Sequence, residues 1–403
     1  MKKVMEGRLK AAVILAASGV LASAALMTGC TANNQAASNT SSDAADGAIT
    51  VTITDTTCDV SSATAKSGTV TFNVTNNGTA VNEFEILAED QLQIVSEREN
   101  LTPGTTTEVT VILEPGTYYT ASKTNMVGAL VGAAQFTVED SGEEIKVSDD
   151  EQALIDEATT NYIAYIKDQA GQLVEATNNF VDLYTSGKTD EAKAAYPVAR
   201  SYYERIEPTA EAFGDIDPAL DLREADCADE GVSADEWTGW HAIEKDLFAD
   251  GNYSADKRKK LADQLVKDTQ ALYDMVYADD FSVNLSDISN GAISLMEEVA
   301  TSKISGEEEI FSGTDLYDFQ ANVEGAKVAY GNVKALLKLK DASMQETIDA
   351  AFADVESELA QYGSIDAGYK NYNELTEAQV KTLSDKVDVL RGALDKLTKT
   401  ILS

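Results

Sequence analysis

Histidine occurs once in these 403 residues, beside three cysteines, five prolines and two tryptophans, and this scarcity removes several kinds of chemistry at once. A zincin needs two helical histidines, as in His-Glu-x-x-His; four positions after His241 stands Lys245, and no other histidine is available. A His-dependent serine or cysteine triad could use only His241, and no nucleophile motif accompanies it. A blue-copper centre needs two histidines beside its cysteine. Haem ligation lacks both a further histidine and a Cys-x-x-Cys-His motif. No glycine-rich phosphate loop occurs; the 25 glycines are scattered punctuation. Basic residues are also few, with 31 Lys plus Arg against 69 Asp plus Glu and a formal net charge of −38. Such a surface repels nucleic acid and anionic headgroups, and it suits an extracytoplasmic protein or one that gathers cations.

The chain is long enough for more than one core. Residues 1–29 read as a lipoprotein signal peptide, with the basic "MKKVMEGRLK", then an apolar stretch that ends in "LMTGC" at Cys30. Met27 is an uncommon residue at its place in a lipobox. Lipid on Cys30 would tether the mature chain to a bacterial membrane without spanning it. Residues 30–47 are small and polar and read as a flexible tether. From 48 to 140 the apolar period is two: Ile49, Val51 and Ile53, then Val70, Phe72 and Val74, then Phe84 and Ile86 between Glu83 and Glu85. Strands of that kind, separated by turns such as "NNG" and "EPG", predict a β-sandwich. From 148 to 403 the period is helical, starting near Asp149 and Asp150, and seven or eight helices forming an all-α bundle are expected. Breaks are expected at Gly187, near Pro197, over 214–221, at Gly251 and over 305–313. Cys58 and Cys227 lie far apart, and nothing in their spacing points to a disulfide.

The lone imidazole sits in "GWHAIEKDLFADG", with Glu244 three residues on, so both can face one centre from one helix. Glu204 and Glu207 repeat that spacing, and Pro208 should kink or end their helix where the carboxylates project. Asp221 and the acidic turn Glu307, Glu308 and Glu309 offer further oxygens. Carboxylates turned inward are costly unless a cation offsets them. One nitrogen among several oxygens suits ferrous or ferric iron, zinc, manganese or calcium, and helical bundles build such centres between facing helices. The bland reading is that these acids are solvated faces and that Trp237 and Trp240 pack the helix into the core.

Taken together, "YYERIEPTAEAFGDIDPALDLREAD", "EWTGWHAIEKDLF", "KISGEEE" and "TDLYDFQANVEGA" resemble the imelysin-like domain of EfeO-type iron uptake lipoproteins. The segments "CDV", "NEFEIL" and "SERENLTPG" resemble the cupredoxin-like domain that precedes it in two-domain members. The resemblance implies a metal centre of His241, Glu244, Glu207, Glu204 and Asp221, completed by Glu308 or Glu307. It also implies a second centre, for copper or iron, at Cys58 and Glu83 with Glu85 nearby. Where that centre expects another cysteine, the chain reads "TASKTNMVG"; Met126 is the soft ligand that could stand in for it.

The function so implied is extracytoplasmic, lipid-anchored iron capture at the His–carboxylate centre and delivery to an EfeU-type permease, with a haem peroxidase beside it. The expectation is that the protein is not an enzyme. The rivals are a zinc-dependent metallopeptidase using His241 and Glu244, and a binding protein whose ligand is bridged by a cation.

Overall fold

Alternation of apolar and polar residues becomes two packed sheets in the computed structural model, which describes residues 48–126, 129–142 and 151–403. The expectations for the signal peptide, the tether, Cys30 and the helix start at Asp149–Asp150 lie outside these residues. One sheet has the order β2-β1-β4-β7, from strands β1 (Ile49–Ile53), β2 (Cys58–Val60), β4 (Gly68–Asn76) and β7 (Thr106–Leu113). The other has the order β3-β9-β8-β5-β6, from β3 (Thr64–Lys66), β5 (Asn82–Leu87), β6 (Ile94–Leu101), β8 (Gly116–Thr124) and β9 (Val131–Glu139). The pairs β1–β4 and β3–β9 are parallel and the rest antiparallel. Between the sheets lie the inward members of each alternation. Phe72 is at the centre, its ring 5.5 Å from those of both Phe84 and Phe136. This is a β-sandwich followed by an all-α helical bundle, as the change of period predicts.

The bundle has seven long helices among the described residues: α1 (Glu151–Thr185), α2 (Thr189–Glu204), α5 (Ala255–Val276), α6 (Leu285–Thr301), α7 (Asp315–Lys340), α8 (Ala342–Leu359) and α9 (Glu377–Leu394). Two short ones, α3 (Ile216–Asp221) and α4 (Trp240–Glu244), lie between α2 and α5, and α10 (Leu397–Ile401) closes the chain. Caps mark the starts: Ser254 on α5, Asn284 with Asp287 as a capping box on α6, and Thr376 with Gln379 on α9. The break expected near Pro197 does not occur. Helix α2 runs through it, because Tyr196, Ala199 and Tyr203 are buried along its length and that burial outweighs one missing ladder bond. Pro208 does follow the end of α2, in a tighter turn over Glu207–Phe213.

The sandwich and the bundle pack as one compact unit. Helix α1 covers the outer face of the five-stranded sheet, with Ala164 against Leu87, Ile94 and Ala121. Strand β5 is therefore buried on both faces, and Glu83 and Glu85, which alternate with Phe84 and Ile86, are inside as well. Replacing Phe72 with Ala opens a cavity between the sheets. It should lower stability by about 3–5 kcal/mol, read as a fall in denaturant midpoint; an unshifted midpoint would mean that Phe72 is not the packing centre.

Candidate metal centre

Asp221 and His241 come together because two segments of backbone nearly touch. Gly239 precedes the histidine helix with φ +86°, and a Cβ there would stand 2.3 Å from the carbonyl oxygen of Leu220. Only glycine permits that approach. Trp237 adds a second tie by donating its indole N–H to the Leu222 carbonyl at 2.7 Å. The fully buried Trp240 packs against Phe180 and Tyr196, with ring centroids at 5.4 and 5.9 Å. Beyond Glu244 the helix widens into a π turn over Lys245–Asp250, a distortion common beside functional sites. Asp246 anchors that turn by accepting from Tyr184 at 2.9 Å and from Arg258 at 2.6 Å.

The two ring nitrogens of His241 face different carboxylates. Nδ1 lies 3.3 Å from Glu244 Oε2 and 3.8 Å from Glu309 Oε1. Nε2 lies 3.4 Å from Asp221 Oδ1 and 3.7 Å from Glu308 Oε1. The ligand atoms of Asp221, His241 and Glu308 form one compact group, and those of His241, Glu244 and Glu309 form another. Glu244 is committed elsewhere: its Oε1 accepts backbone N–H groups from Phe311 at 2.9 Å and Ser312 at 2.7 Å. Nε2 is buried and lacks a well-formed hydrogen bond. Glu309 accepts from Tyr196 at 3.1 Å and Ser312 at 2.7 Å.

Two buried cations stand among these acids. Arg200 of α2 contacts Glu204 and Asp221, and its Nε lies 2.8 Å from Glu309 Oε1. Lys303, in the one-turn segment Lys303–Ser305 after α6, places Nζ 2.7 and 2.8 Å from the two oxygens of Glu207 and 3.2 Å from Glu204 Oε2. Glu204 and Glu207 thus meet Lys303, while Asp221, Glu308 and Glu244 meet the imidazole. Glu307 turns outward to Arg223, 3.0 Å away. Arg200, Lys303 and Asp318 did not emerge as site residues from the sequence. The only local signal was Arg200 four residues before Glu204, the spacing of a helical ion pair.

The electrostatics follow from seven buried or nearly buried carboxylates around two buried cations and one imidazole. Burial, then the Arg200 guanidinium, press His241 toward neutrality, and Asp221, Glu244 and Glu308 outweigh both, so its pKa stands well above the ordinary value. Burial raises Glu308, but Lys303 and His241 prevail and bring it down to about 2. Burial dominates at Glu207, Glu309 and Asp318, which are raised well above ordinary carboxylates. Beside Asp221, Glu207 and Glu308 opens a cleft of about 970 Å³, walled also by Asp217, Asp226, Asp287 and Glu298. Its wall carries two of the carboxylates beside the imidazole, Asp221 and Glu308, and this donor set fits a hard or borderline cation with oxygen ligands and one nitrogen.

The second candidate set is divided. Cross-strand pairing puts Phe84 with Ser122 on the inner face of the sheet, and Glu83 with Lys123 and Glu85 with Ala121 on the outer face. Cys58 is in the inner core beside the Ser122 hydroxyl, and burial pushes its thiol up to about 12. It is not brought to Glu83 and Glu85. Those two converge instead with Glu97, around the Lys123 ammonium, which lies 3.0 Å from Glu85 and also contacts Asp168 of α1. Met126 borders the same recess, with its sulfur accepting from the Asn100 N–H at 3.3 Å. Burial, then Glu85, raise Glu83 to about 10.

Residues 158–398 match the family model described as Imelysin, and residues 19–131 match that of the cupredoxin-like domain. The chain is 38% identical over 356 residues to the iron uptake system component EfeO of Yersinia pseudotuberculosis, covering 86% of this chain and 91% of that one. It is 35% identical over 351 residues to EfeO of Escherichia coli, covering 87% and 90%.

A side chain at residue 239 must push Leu220, and with it Asp221, away from the imidazole. Gly239→Ala should cost about 1–3 kcal/mol in backbone strain alone, seen as a lower unfolding temperature. A variant as stable as the parent would disprove the close approach.

Proposed function

This chain belongs to the imelysin family, in the form that carries a cupredoxin-like domain ahead of the helical one, and on that premise we propose that it is the iron-capturing component of an uptake system outside the cytoplasm. The observation that carries the reading is His241 Nε2: buried, without a well-formed hydrogen bond, and facing Asp221 and Glu308, two carboxylates on the wall of an acidic cleft. Iron bound there would take Nε2 and one oxygen from each of those carboxylates, with Glu204 and Glu207 within the same acidic cluster. Glu244 holds the ring from behind through Nδ1, as outer partners of ligating histidines do. Sites left open to the cleft keep room for water, which suits capture and release.

Delivery would be to a permease of the EfeU type, with a haem peroxidase acting beside it and a lipid on Cys30 holding the chain at a bacterial membrane. The relatives named for iron uptake support this assignment. In the zinc-peptidase rival His241 and Glu244 hold the metal together; Glu244 has one oxygen on two backbone N–H groups and the other toward the ring, which disfavours it as a ligand. In the sandwich, Glu83, Glu85 and Glu97 are the residues that could hold a copper or iron ion, without Cys58.

Calorimetric titration with ferrous iron under anaerobic conditions tests the centre. His241→Ala should remove the tight site, and Glu308→Gln should weaken it at least tenfold; wild-type stoichiometry in His241→Ala would sink the assignment.

Acidity should act in one direction. The carboxylates hold His241 protonated well above the ordinary histidine range, and iron can bind Nε2 only after that proton leaves. Affinity is then lost as pH falls, by about tenfold per pH unit for one displaced proton. Titration at pH 7.5 and 5.5 in buffers of different ionisation heat should show both the loss and the released proton. Equal affinity at the two values would contradict it.

A further inference from the structure

Resting on the reading of the His241 centre as the iron site, we propose that Lys303 is an internal counter-cation that competes with the metal for Glu204, Glu207 and Glu308 and thereby keeps iron release fast. The two buried cations of the cluster differ in kind. Arg200 is held on several sides, touching Glu204 and Asp221, with Nε 2.8 Å from Glu309; a planar guanidinium so engaged is a fixed part of the frame. Lys303 carries a point charge on a four-carbon stem, from a one-turn segment instead of a long helix. Its ammonium is fully buried, yet two of its partners, Glu207 and Glu308, line the cleft.

One atom ties the two systems together. Glu308 Oε1 lies 3.8 Å from Lys303 Nζ and 3.7 Å from His241 Nε2. A divalent or trivalent ion bound to Nε2 and Glu308 would therefore sit close to the ammonium, and like charges at that range repel strongly inside a protein. Either the ammonium gives way or the ion binds less tightly. The carboxylates do not depend on it for their places. Asn322 donates Nδ2 to Glu204 Oε2 at 3.0 Å and to Glu207 Oε2 at 2.6 Å, so both stay pointed inward when the ammonium leaves. Glu298 on the cleft wall is among the carboxylates whose field Lys303 feels, and it gives the displaced charge a landing place nearer water.

The two states are alternately neutralised. Without metal the ammonium offsets Glu204 and Glu207; with metal the ion offsets them and the ammonium moves toward Glu298. A carrier that must give up its cargo gains from such a resident competitor, because it refills the carboxylates as the ion departs.

The test uses the mature full-length chain and ferrous iron alone, anaerobically. Lys303→Met keeps the stem and removes the charge. It should bind iron at least tenfold more tightly, mainly through slower dissociation, and show a larger rise in unfolding temperature on metal addition than wild type. Equal or weaker binding would overturn the proposal. If that variant does not fold, acetylation of Lys303 in the wild type, followed by peptide mass mapping, gives the answer. Modification at least fivefold faster with iron present supports displacement, and an unchanged rate overturns it. His241→Ala separates the two levels: its failure to lose iron binding would remove the site itself, whereas a wild-type site that Lys303→Met does not tighten removes only the competitor.

Discussion

An excess of carboxylate over cation inside the bundle is the constraint on which the rest of the helical domain depends. Glu204, Glu207, Asp221, Glu244, Glu308, Glu309 and Asp318 are all buried or nearly so, and uncompensated charges in such a place are among the costliest things a fold can contain. Arg200 and Lys303 offset part of the excess, burial raises the proton affinity of Glu207, Glu309 and Asp318, and backbone or hydroxyl donors serve Glu244 and Glu309. Removing one cation leaves several anions facing each other. A cluster so arranged is poised to accept positive charge from outside, which is the property a metal-capturing site needs.

The backbone is shaped to make that cluster. Pro208 follows the end of α2 just past its second inward glutamate, Gly239 lets the α3 terminus touch the start of α4, and the π turn after Glu244 re-aims the chain toward α5. The loop Glu307–Ser312 then brings Glu308 and Glu309 in from one side while its own N–H groups hold Glu244 from the other. None of these devices helps helix or loop stability by itself. Their common result is an imidazole with one nitrogen held by Glu244 and the other facing Asp221 and Glu308, which line the cleft.

Fold class was legible in the sequence, because period two in residues 48–140 and helical period afterwards report directly on which faces are buried. Of the centre, the local signal was His241 with Glu244 three residues on; Asp221 and Glu308 stood only as further oxygens, drawn into one set by the family resemblance, and spacing could not choose Glu308 over Glu307. The ammonium and guanidinium were not legible, for basic residues in helices are ordinarily solvent-facing and nothing adjacent marks Lys303 as buried. The split between Cys58 and Glu83 could have been read from strand parity only with the pairing register known, because Cys58 reaches Ser122 from a different strand. Pro197 misled for a simpler reason: propensity is local, and the packing of Tyr196 and Tyr203 is not.

Lys123 deserves a last consideration for what it forbids. Its ammonium draws on Glu83 and Glu85 from the sandwich and Asp168 from the first long helix, with almost no exposure to solvent. Exchanging either module for a relative's, by recombination or in the laboratory, would strand a charge on one side or the other unless all three acids and the lysine travelled together. The junction therefore behaves as one electrostatic unit, in which a change to any of the four side chains leaves a buried charge for the others to offset.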